Sequence, residues 1–177
     1  LSVTCEVAPH HFTLTDEAVR GYDTNTKMSP PLRTISDVDA IKKGLKDGTI
    51  DIIATDHAPH DIVDKQVEYQ NACFGIVGLE TALPLSLKLV DEKILSMSEL
   101  IKKLTSTPAG IFNLSSGNLS LGNDADILIF NPNFEYSIDI SKFHSKSKNS
   151  PFDGWKVKGK VIRTLVRGKT VYPTIEN

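Results

Sequence analysis

The first part of the chain alternates between short apolar runs and stretches whose apolar residues recur with helical spacing. Residues 50–55 form a nearly continuous apolar run, which is typical of a strand buried on both faces. Residues 3–7 form a shorter, β-branched run that predicts another strand. Residues 36–48 and 77–90 carry apolar side chains every three or four positions, which predicts a helix in each. This alternation favours a parallel sheet with helical crossovers, an α/β fold.

Caps and prolines indicate where further helices begin. Ser96 followed by Glu99 has the spacing of a capping box and predicts a helix after it. Thr107 followed by Pro108 predicts one more short helix, with the proline at its first position. Pro84 is expected either to bend its helix or to lie in the first turns.

The pattern changes after residue 115. Residues 118–130 and 155–172 carry strand signals separated by turns, and Arg167-Gly168-Lys169 predicts a hairpin turn. The predicted domains are therefore an α/β part over residues 1–115 and an all-β part over residues 116–177.

The α/β part is too short for a closed α/β barrel. A (β/α)₈ barrel takes about 250 residues, so 115 residues hold about three to four of its eight units. A partial barrel leaves the edges of its parallel strands unpaired. The chain also starts without Met, inside a predicted strand. We therefore expect a piece of a longer polypeptide, whose other strands come from a preceding segment or a partner chain.

Charge and composition argue against several functions. The 177 residues include 20 basic and 22 acidic side chains, and a net charge of −2 disfavours a strongly basic nucleic-acid-binding face. Lys142, Lys146 and Lys148 lie in a polar stretch, residues 141–150, that we interpret as a solvated loop. No run approaches the roughly 18 apolar residues of a membrane span. Cys5 and Cys73 lack zinc-ligand spacing, so we interpret them as unreactive thiols in a reducing cytoplasm.

The most informative segment is Ala-Thr-Asp-His-Ala-Pro-His at residues 54–60. Asp56 directly follows the clearest strand, where barrel enzymes place their catalytic groups. Carboxylate and imidazole suit Zn²⁺, which lowers the pKa of a bound water toward ~7. A carboxylate there also accepts a proton and delivers it to a leaving nitrogen. From the residues alone, Asp56 capping the next turn beside surface histidines is an equally open interpretation.

Other polar residues are weaker candidates. His10 and His11 are adjacent on a segment expected to be extended, so at most one faces a pocket, as lining rather than as a ligand. Glu6, in a predicted buried strand, needs a partner. Arg33 either holds a carboxylate or locks its loop to a neighbour. Gly75 either allows a ligand to approach the backbone closely or belongs to an ordinary turn.

Several motifs in order resemble bacterial dihydroorotases of the long, zinc-dependent type. They lie at residues 5–11, 27–33, 51–60, 74–81, 106–109, 121–127, 159–162 and 166–172. The last part of the motif at 121–127, Ala-Asp-Ile after glycine, is shared by the whole amidohydrolase superfamily. Pro-Pro-Leu-Arg at residues 30–33 together with the segment at 54–60 narrows the resemblance to dihydroorotase.

This resemblance implies a fold and a reaction. The fold would be the C-terminal part of a (β/α)₈ TIM barrel followed by a small β-sandwich segment. The reaction would be the reversible cyclisation of N-carbamoyl-L-aspartate to (S)-dihydroorotate, a cytoplasmic step of pyrimidine (UMP) biosynthesis.

The resemblance also implies roles for five residues. Asp56 would be both a zinc ligand and the catalytic acid/base. His60 would contact the substrate carboxylate, and Phe74 and Gly75 would meet the pyrimidine ring through backbone groups. Ser29 stands where the family usually has Asn, and it lacks the paired donor and acceptor of an amide. The contact that the family's Asn makes at that position is therefore expected to be altered by Ser29.

Most metal ligands of the family are absent from this sequence. Its His-x-His pair, its bridging lysine or aspartate and two further histidines would lie before Leu1. Asp56 alone cannot hold the one or two Zn²⁺ ions, because zinc sites need three or four ligands. We therefore expect this chain to need the N-terminal half of the barrel, and to be inactive alone.

Two alternatives remain open. Another cyclic amidase, such as a hydantoinase or an allantoinase, shares the aspartate at the strand end. A non-catalytic dihydroorotase-like chain would instead be a structural partner of aspartate carbamoyltransferase, although Asp56 and His60 favour an enzyme. The expected partners are thus a small-molecule substrate, the missing barrel half, a second copy in a homodimer, or aspartate carbamoyltransferase.

Overall fold

The computed structural model describes residues 3–173, which form a mixed α/β structure. The helices and strands are β1 (Glu6–Val7), α1 (Ile35–Asp47), β2 (Ile52–Ile53), α2 (Ile62–Lys65), α3 (Leu79–Asp91), α4 (Met97–Leu104), α5 (Ser106–Ile111), β3 (Ile127–Ser137), β4 (Lys156–Val166) and β5 (Lys169–Tyr172). Short 3₁₀ helices cover Pro9–Phe12, Asp16–Gly21, Thr24–Thr26 and Ile140–Lys142.

The first sheet is a parallel pair. Glu6 lies opposite Ile52 and Val7 opposite Ile53, with α1 in the crossover between the two strands. Within residues 3–115 the structure has two strands, fewer than the expected three to four units. Each strand is also shorter than its apolar run, because a parallel strand extends only where neighbours pair with it. Glu6 is exposed, so the expectation that it is buried and needs a partner is wrong.

Helix ends follow the predicted caps closely but not residue for residue. In α4, Glu99 N–H donates to Ser96 Oγ at 3.3 Å, and Ser96 N–H donates to Glu99 Oε2 at 2.7 Å, which confirms the capping box. The helix α5 begins at Ser106, so Pro108 occupies its third position rather than its first. In α3 the helix continues through Pro84, which is buried in its second turn.

The second sheet is antiparallel, in the order β3-β4-β5. The turn between β4 and β5 consists of Arg167 and Gly168, with φ of 48° and 75°. Two consecutive positive φ angles are typical of a type I′ hairpin, so the predicted turn is confirmed. Of residues 118–130, only those from Ile127 onward belong to a strand.

Two apolar clusters form the core. The first packs helices against the parallel strands and contains Val7, Phe12, Leu45, Ile50, Ile53, Leu87, Leu89, Leu95 and Leu100. The second draws from both sides of the predicted boundary at residue 115 and contains Leu14, Met28, Leu32, Ile76, Leu85, Ile138, Phe152 and Val157. Helix α3 contributes to both clusters and contacts β4. The contact favours Gly159, because its φ of 98° disfavours other residues and a Cβ there would force the end of the Leu87 side chain to move.

No helix within residues 3–173 combines the length and apolar character that crossing a membrane requires.

Candidate active site

The carboxyl ends of the two parallel strands bring two polar side chains together. His10 follows β1 in the 3₁₀ helix Pro9–Phe12, and Asp56 follows β2. Parallel strands end at the same edge of a sheet, which is where α/β folds place their sites. His10 Nε2 lies 3.7 Å from Asp56 Oδ2.

The Asp56 carboxylate is accessible. Its φ of 48° lies in the left-handed region, which a residue other than glycine adopts at a cost of about 1–3 kcal/mol. Its side chain is 50 % exposed. Within residues 3–173 no donor makes a hydrogen bond to its oxygens, so no bond from the next turn caps it. A carboxylate held in this way has its lone pairs available to a metal ion or a proton.

His10 is buried, and its Nε2 has no hydrogen-bond partner among the described residues. Burial, assisted by the neighbouring charge of His11, lowers the pKa of His10 to about 3. His10 is therefore neutral at pH 7 and forms no ion pair with Asp56. An unpaired buried polar atom costs about 1–3 kcal/mol. A neutral imidazole nitrogen beside an accessible carboxylate is a donor pair that fits Zn²⁺, but two donors are fewer than a complete site needs.

The expected geometry of the adjacent histidines is wrong. His10 and His11 lie in a 3₁₀ helix instead of an extended segment, and their ring centroids are 4.2 Å apart. His11 Nε2 donates to Pro30 O at 2.9 Å. One histidine therefore faces Asp56, while the other holds the proline loop against the same turn.

His57 supports the start of α3. Its Nδ1 accepts from Gly78 N–H at 3.0 Å and from Leu79 N–H at 3.4 Å. A Cβ on Gly78 would lie 2.4 Å from Thr55 O, so only glycine allows this close approach. His57 thus joins the end of β2 to α3.

His60, Phe74 and Gly75 lie together, as expected from the sequence. His60 Nε2 lies 2.8 Å from Phe74 O, and since a carbonyl only accepts, Nε2 carries the proton. Gly75 has a φ of 96°, and a Cβ there would lie 2.6 Å from Ala58 Cβ. The Phe74 ring is 54 % exposed. This cluster presents an aromatic face and a histidine beside a backbone that approaches the strand end closely.

Ser29 lies in an adjoining loop and is exposed. Gly75 N–H donates to Lys27 O at 2.8 Å, so this loop joins the Phe74–Gly75 segment. The Ser29 hydroxyl makes no hydrogen bond to any residue between 3 and 173. Arg33 Nε lies 3.7 Å from Asp37 Oδ2 in α1, which favours its role in fastening the loop to a neighbour.

Three residues that the sequence did not single out organise this cluster. Asn149 is buried: its Oδ1 accepts from His60 N–H at 3.3 Å, and its Nδ2 donates to Ala58 O at 2.9 Å and Gly75 O at 3.3 Å. The interpretation of residues 141–150 as a solvated loop is therefore wrong at its end. Only the pairing of segments about 90 residues apart reveals this role, so no local signal was present in the sequence.

Lys27 and Lys65 are buried ammonium groups that bind backbone carbonyls. Lys27 Nζ donates to Gln70 O and Ala72 O, each at 2.7 Å, and lies 4.5 Å from the Phe74 ring centroid. Lys65 Nζ donates to Cys73 O and Gly75 O at 2.8 and 3.1 Å. Burial lowers the pKa of Lys65. Both lysines hold the segment over residues 70–75 in place.

Curated proteins of high sequence identity are dihydroorotases. One from Geobacter metallireducens is 56 % identical over 172 residues, which is 97 % of this chain and 41 % of that protein. Another from Syntrophus aciditrophicus is 55 % identical over 170 residues, 96 % of this chain and 40 % of that protein. The chain therefore spans about 40 % of the length of the curated relatives it matches.

Solved structures that superpose on this chain are named hydantoinases and dihydropyrimidinases. The L-hydantoinase (dihydropyrimidinase) from Arthrobacter aurescens superposes with a TM-score of 0.90 at 34 % identity, over 96 % of this chain and 39 % of that protein. The dihydropyrimidinase from Brevibacillus agri superposes with a TM-score of 0.88 at 25 % identity, over the same shares of the two chains.

The match to a protein family covers nearly every residue. The model of the Amidohydrolase family matches residues 2–171. It includes the aspartate at the end of β2, the histidines after β1 and the three-stranded sheet. The chain therefore belongs to the amidohydrolase family.

Proposed function

We propose that this chain is the C-terminal part of a dihydroorotase, which interconverts N-carbamoyl-L-aspartate and (S)-dihydroorotate in pyrimidine (UMP) biosynthesis in the cytoplasm. The observation that carries the proposal is the accessible Asp56 carboxylate beside buried His10, next to the cluster of His60, Phe74 and Gly75. The curated relatives at 55–56 % identity support it. Both substrates are small molecules: N-carbamoyl-L-aspartate bears two carboxylates and an open-chain ureido group, and dihydroorotate bears one carboxylate and a cyclic amide.

The proposal includes a fold for the whole protein. Residues 1–115 would complete a (β/α)₈ TIM barrel with an N-terminal half, and residues 116–177 would belong to a small β-sandwich. The parallel pair β1–β2 with its helical crossover supports the barrel. Apolar side chains exposed on the second sheet support its being covered by further chain: Leu128, Ile129, Ile162 and Val171 are 44–53 % exposed, and the consecutive Leu128 and Ile129 lie on opposite faces.

Asp56 would hold Zn²⁺ together with ligands from the N-terminal half, whether one ion or two. The bound ion would supply a Lewis acid that polarises the substrate carbonyl. In ring opening, the Asp56 carboxylate takes a proton from the attacking water and gives one to the leaving ring nitrogen. In ring closure the same two transfers run in reverse. Neutral His10 places its Nε2 beside that carboxylate, where the nitrogen offers either a lone pair or an N–H.

The cluster around His60 would orient the substrate. His60 keeps its Nε2 bond to Phe74 O, and in its protonated form donates from Nδ1 to a substrate carboxylate. Gly75 N–H already donates to Lys27 O, whereas Phe74 N–H has no partner among the described residues. Phe74 N–H is therefore the backbone group that meets the ring. The Ser29 hydroxyl would replace the amide of the usual Asn with a shorter contact.

A second candidate function is hydantoin hydrolysis. The superposition on the Arthrobacter aurescens L-hydantoinase, at 34 % identity, supports it. The Pro-Pro-Leu-Arg segment and the spacing from Asp56 to His60 favour dihydroorotase. A homodimer and an association with aspartate carbamoyltransferase stay predictions.

The test uses the complete protein loaded with zinc and a panel of dihydroorotate, hydantoin and allantoin. Dihydroorotate should have the highest kcat/KM. Asp56→Asn should lower that value by about 10²- to 10⁴-fold, because the amide cannot accept the proton. The control Asp47→Asn changes an exposed aspartate at the end of α1 and should leave the rate unchanged. Faster hydrolysis of hydantoin, or an active Asp56→Asn variant, would contradict the proposal.

A further inference from the structure

We propose that His60, Asp64 and Cys73 form a second metal site, separate from Asp56, for a thiophilic divalent cation of the Zn²⁺ class. One ring nitrogen of His60, one carboxylate oxygen of Asp64 and Cys73 Sγ all lie within 4.8 Å of one another. Imidazole, carboxylate and thiolate are the three side-chain ligands that zinc uses in proteins.

The separations are compatible with one ion. Bond lengths of about 2.0–2.3 Å around a tetrahedral ion place neighbouring ligand atoms about 3.3–3.8 Å apart. The three ligand atoms therefore need to approach one another by at most about 1.0–1.5 Å, which rotation about the side-chain bonds can supply. Asp64 is exposed and the other two residues are half-buried, so a cation reaches the group from solvent.

The surroundings of His60 are those of a metal ligand. Its Nε2–H donates to Phe74 O at 2.8 Å, which leaves the lone pair on Nδ1. Histidine ligands characteristically donate their other ring N–H to a carbonyl or carboxylate, which fixes the tautomer and the ring orientation. His60 N–H donates to Asn149 Oδ1, and this bond positions the backbone as well.

The backbone also joins the other two ligand-bearing residues. Cys73 N–H donates to Asp64 O at 3.2 Å, so the loop carrying the thiol is fastened to α2. Asp61 caps α2 by accepting from Val63 N–H at 3.1 Å, which sets the first turn that carries Asp64. Three ligands on two linked segments leave the fourth position of a tetrahedral ion open.

Charge balance favours a dication. A thiolate at Cys73 and a carboxylate at Asp64 supply two negative charges, and His60 binds as a neutral ring. The ammonium of Lys65 opposes a cation, but it donates to the carbonyls of Cys73 and Gly75 and so faces the backbone of the loop.

The site has a consequence that rests on the proposed function. A cation bound to His60 Nδ1 would remove the nitrogen proposed to contact the substrate carboxylate. Excess Zn²⁺ would therefore inhibit the enzyme by occupying this group, whereas zinc at Asp56 supports catalysis. Metal binding itself does not depend on the substrate assigned to the protein.

The test of binding is spectroscopic. The complete protein, with its catalytic metal loaded, is titrated with Co²⁺ while absorption in the near ultraviolet is recorded. A thiolate-to-cobalt charge-transfer band should appear, because Cys73 binds the ion through sulfur. Metal at Asp56 should not contribute to this band, because the ligands proposed there are nitrogen and oxygen. Cys73→Ser should abolish the band, and Cys5→Ser, which removes the exposed second thiol, should keep it. Asp64→Asn should weaken Co²⁺ affinity by at least ~10-fold.

Circular dichroism checks that each variant is folded, and Asp64→Asn tests the site while both thiols remain. No band in the wild-type protein at saturating Co²⁺, or a band that survives in folded Cys73→Ser, overturns the metal site. In the activity arm, excess Zn²⁺ should inhibit the wild type more than Cys73→Ser. If excess Zn²⁺ inhibits the wild type and Cys73→Ser equally, the claim that a cation at this site blocks His60 is overturned. A protein that forms the band but does not turn over dihydroorotate would refute the proposed function and leave the metal site standing.

Discussion

At the scale of single residues, two kinds of position carry the candidate site. Asp56 and His60 are the residues proposed to bear the chemistry, and Gly75 and Gly78 let the backbone approach the end of β2. A side chain at either glycine would overlap atoms of the strand end, at 2.6 Å from Ala58 Cβ or 2.4 Å from Thr55 O. The geometry of the cluster therefore depends on residues that have no functional group.

Gly75→Ala should disturb the cluster through both its φ of 96° and its contact with Ala58. The expected result is a fall in kcat/KM of the complete protein of about 10²-fold, because a displacement near 1 Å has that effect on a positioned substrate. Steady-state kinetics with dihydroorotate measure it. The matched control is Gly48→Ala, which has a φ of 86° and no atom within 4 Å of the added Cβ. If Gly48→Ala lowers kcat/KM as much as Gly75→Ala, backbone strain alone is responsible.

Sequence reasoning found the residues whose neighbours in the chain explain them. Asp56 follows an apolar run, and Gly75 lies in the motif at residues 74–81, so local sequence was enough to select both as candidates. Asn149 and Lys65 were not, because their partners are backbone atoms brought together by folding. The prediction for His10 had the wrong geometry, because nothing in the sequence indicates that the chain turns directly after Val7.

At the scale of elements, the best predictions rest on local hydrogen bonds. The capping box of α4 and the hairpin at Arg167–Gly168 each depend on a few consecutive residues, and both were confirmed. The strands were predicted too long, since the parallel ladder covers only Ile52–Ile53 of the run at 50–55. Strand length depends on pairing with distant segments, which local apolar patterns do not report.

The cap of α4 makes stability depend on pH. The hydrogen bond from Ser96 lowers the pKa of Glu99 below its usual 4.5. The folded state therefore holds the proton less tightly than the unfolded state. The stabilisation is complete above pH 4.5 and is lost as the pH falls through the lower folded pKa.

Ser96→Ala should lower the free energy of unfolding by about 1 kcal/mol at neutral pH, the usual cost of losing an N-cap. The difference from wild type should shrink as the pH falls below 4.5, because a protonated Glu99 no longer gains from the Ser96 hydroxyl, while the part due to the bond from Glu99 N–H to Ser96 Oγ remains. Urea unfolding of the complete protein at several pH values measures it. Ser98→Ala, at an exposed position in the same helix, is the control. A Ser96→Ala effect that stays constant down to pH 2 would mean that the capping box does not contribute to acid stability.

At the scale of the whole molecule, the described residues contain the candidate catalytic edge with fewer donors than a metal site needs. The parallel sheet has two strands, and Asp56 and His10 are the donors at its edge. The only group of three metal-ligating residues found within 3–173 is the separate one at His60, Asp64 and Cys73. Relatives of this chain are about two and a half times its length, since it spans about 40 % of them. The two-stranded sheet and the incomplete set of metal donors therefore both indicate that the complete site uses residues outside this chain.

The 177-residue chain, purified alone and supplied with Zn²⁺, should not convert N-carbamoyl-L-aspartate into dihydroorotate, because an aspartate and one buried histidine supply fewer than the three or four ligands that hold zinc. Absorbance of the cyclic product measures the reaction. The control is the complete protein at the same molar concentration, which should turn over the substrate and lose that activity in Asp56→Asn. If the 177-residue chain is active and Asp56→Asn abolishes its activity, the ligands within this chain suffice. The barrel half would then be needed for stability rather than for the metal centre.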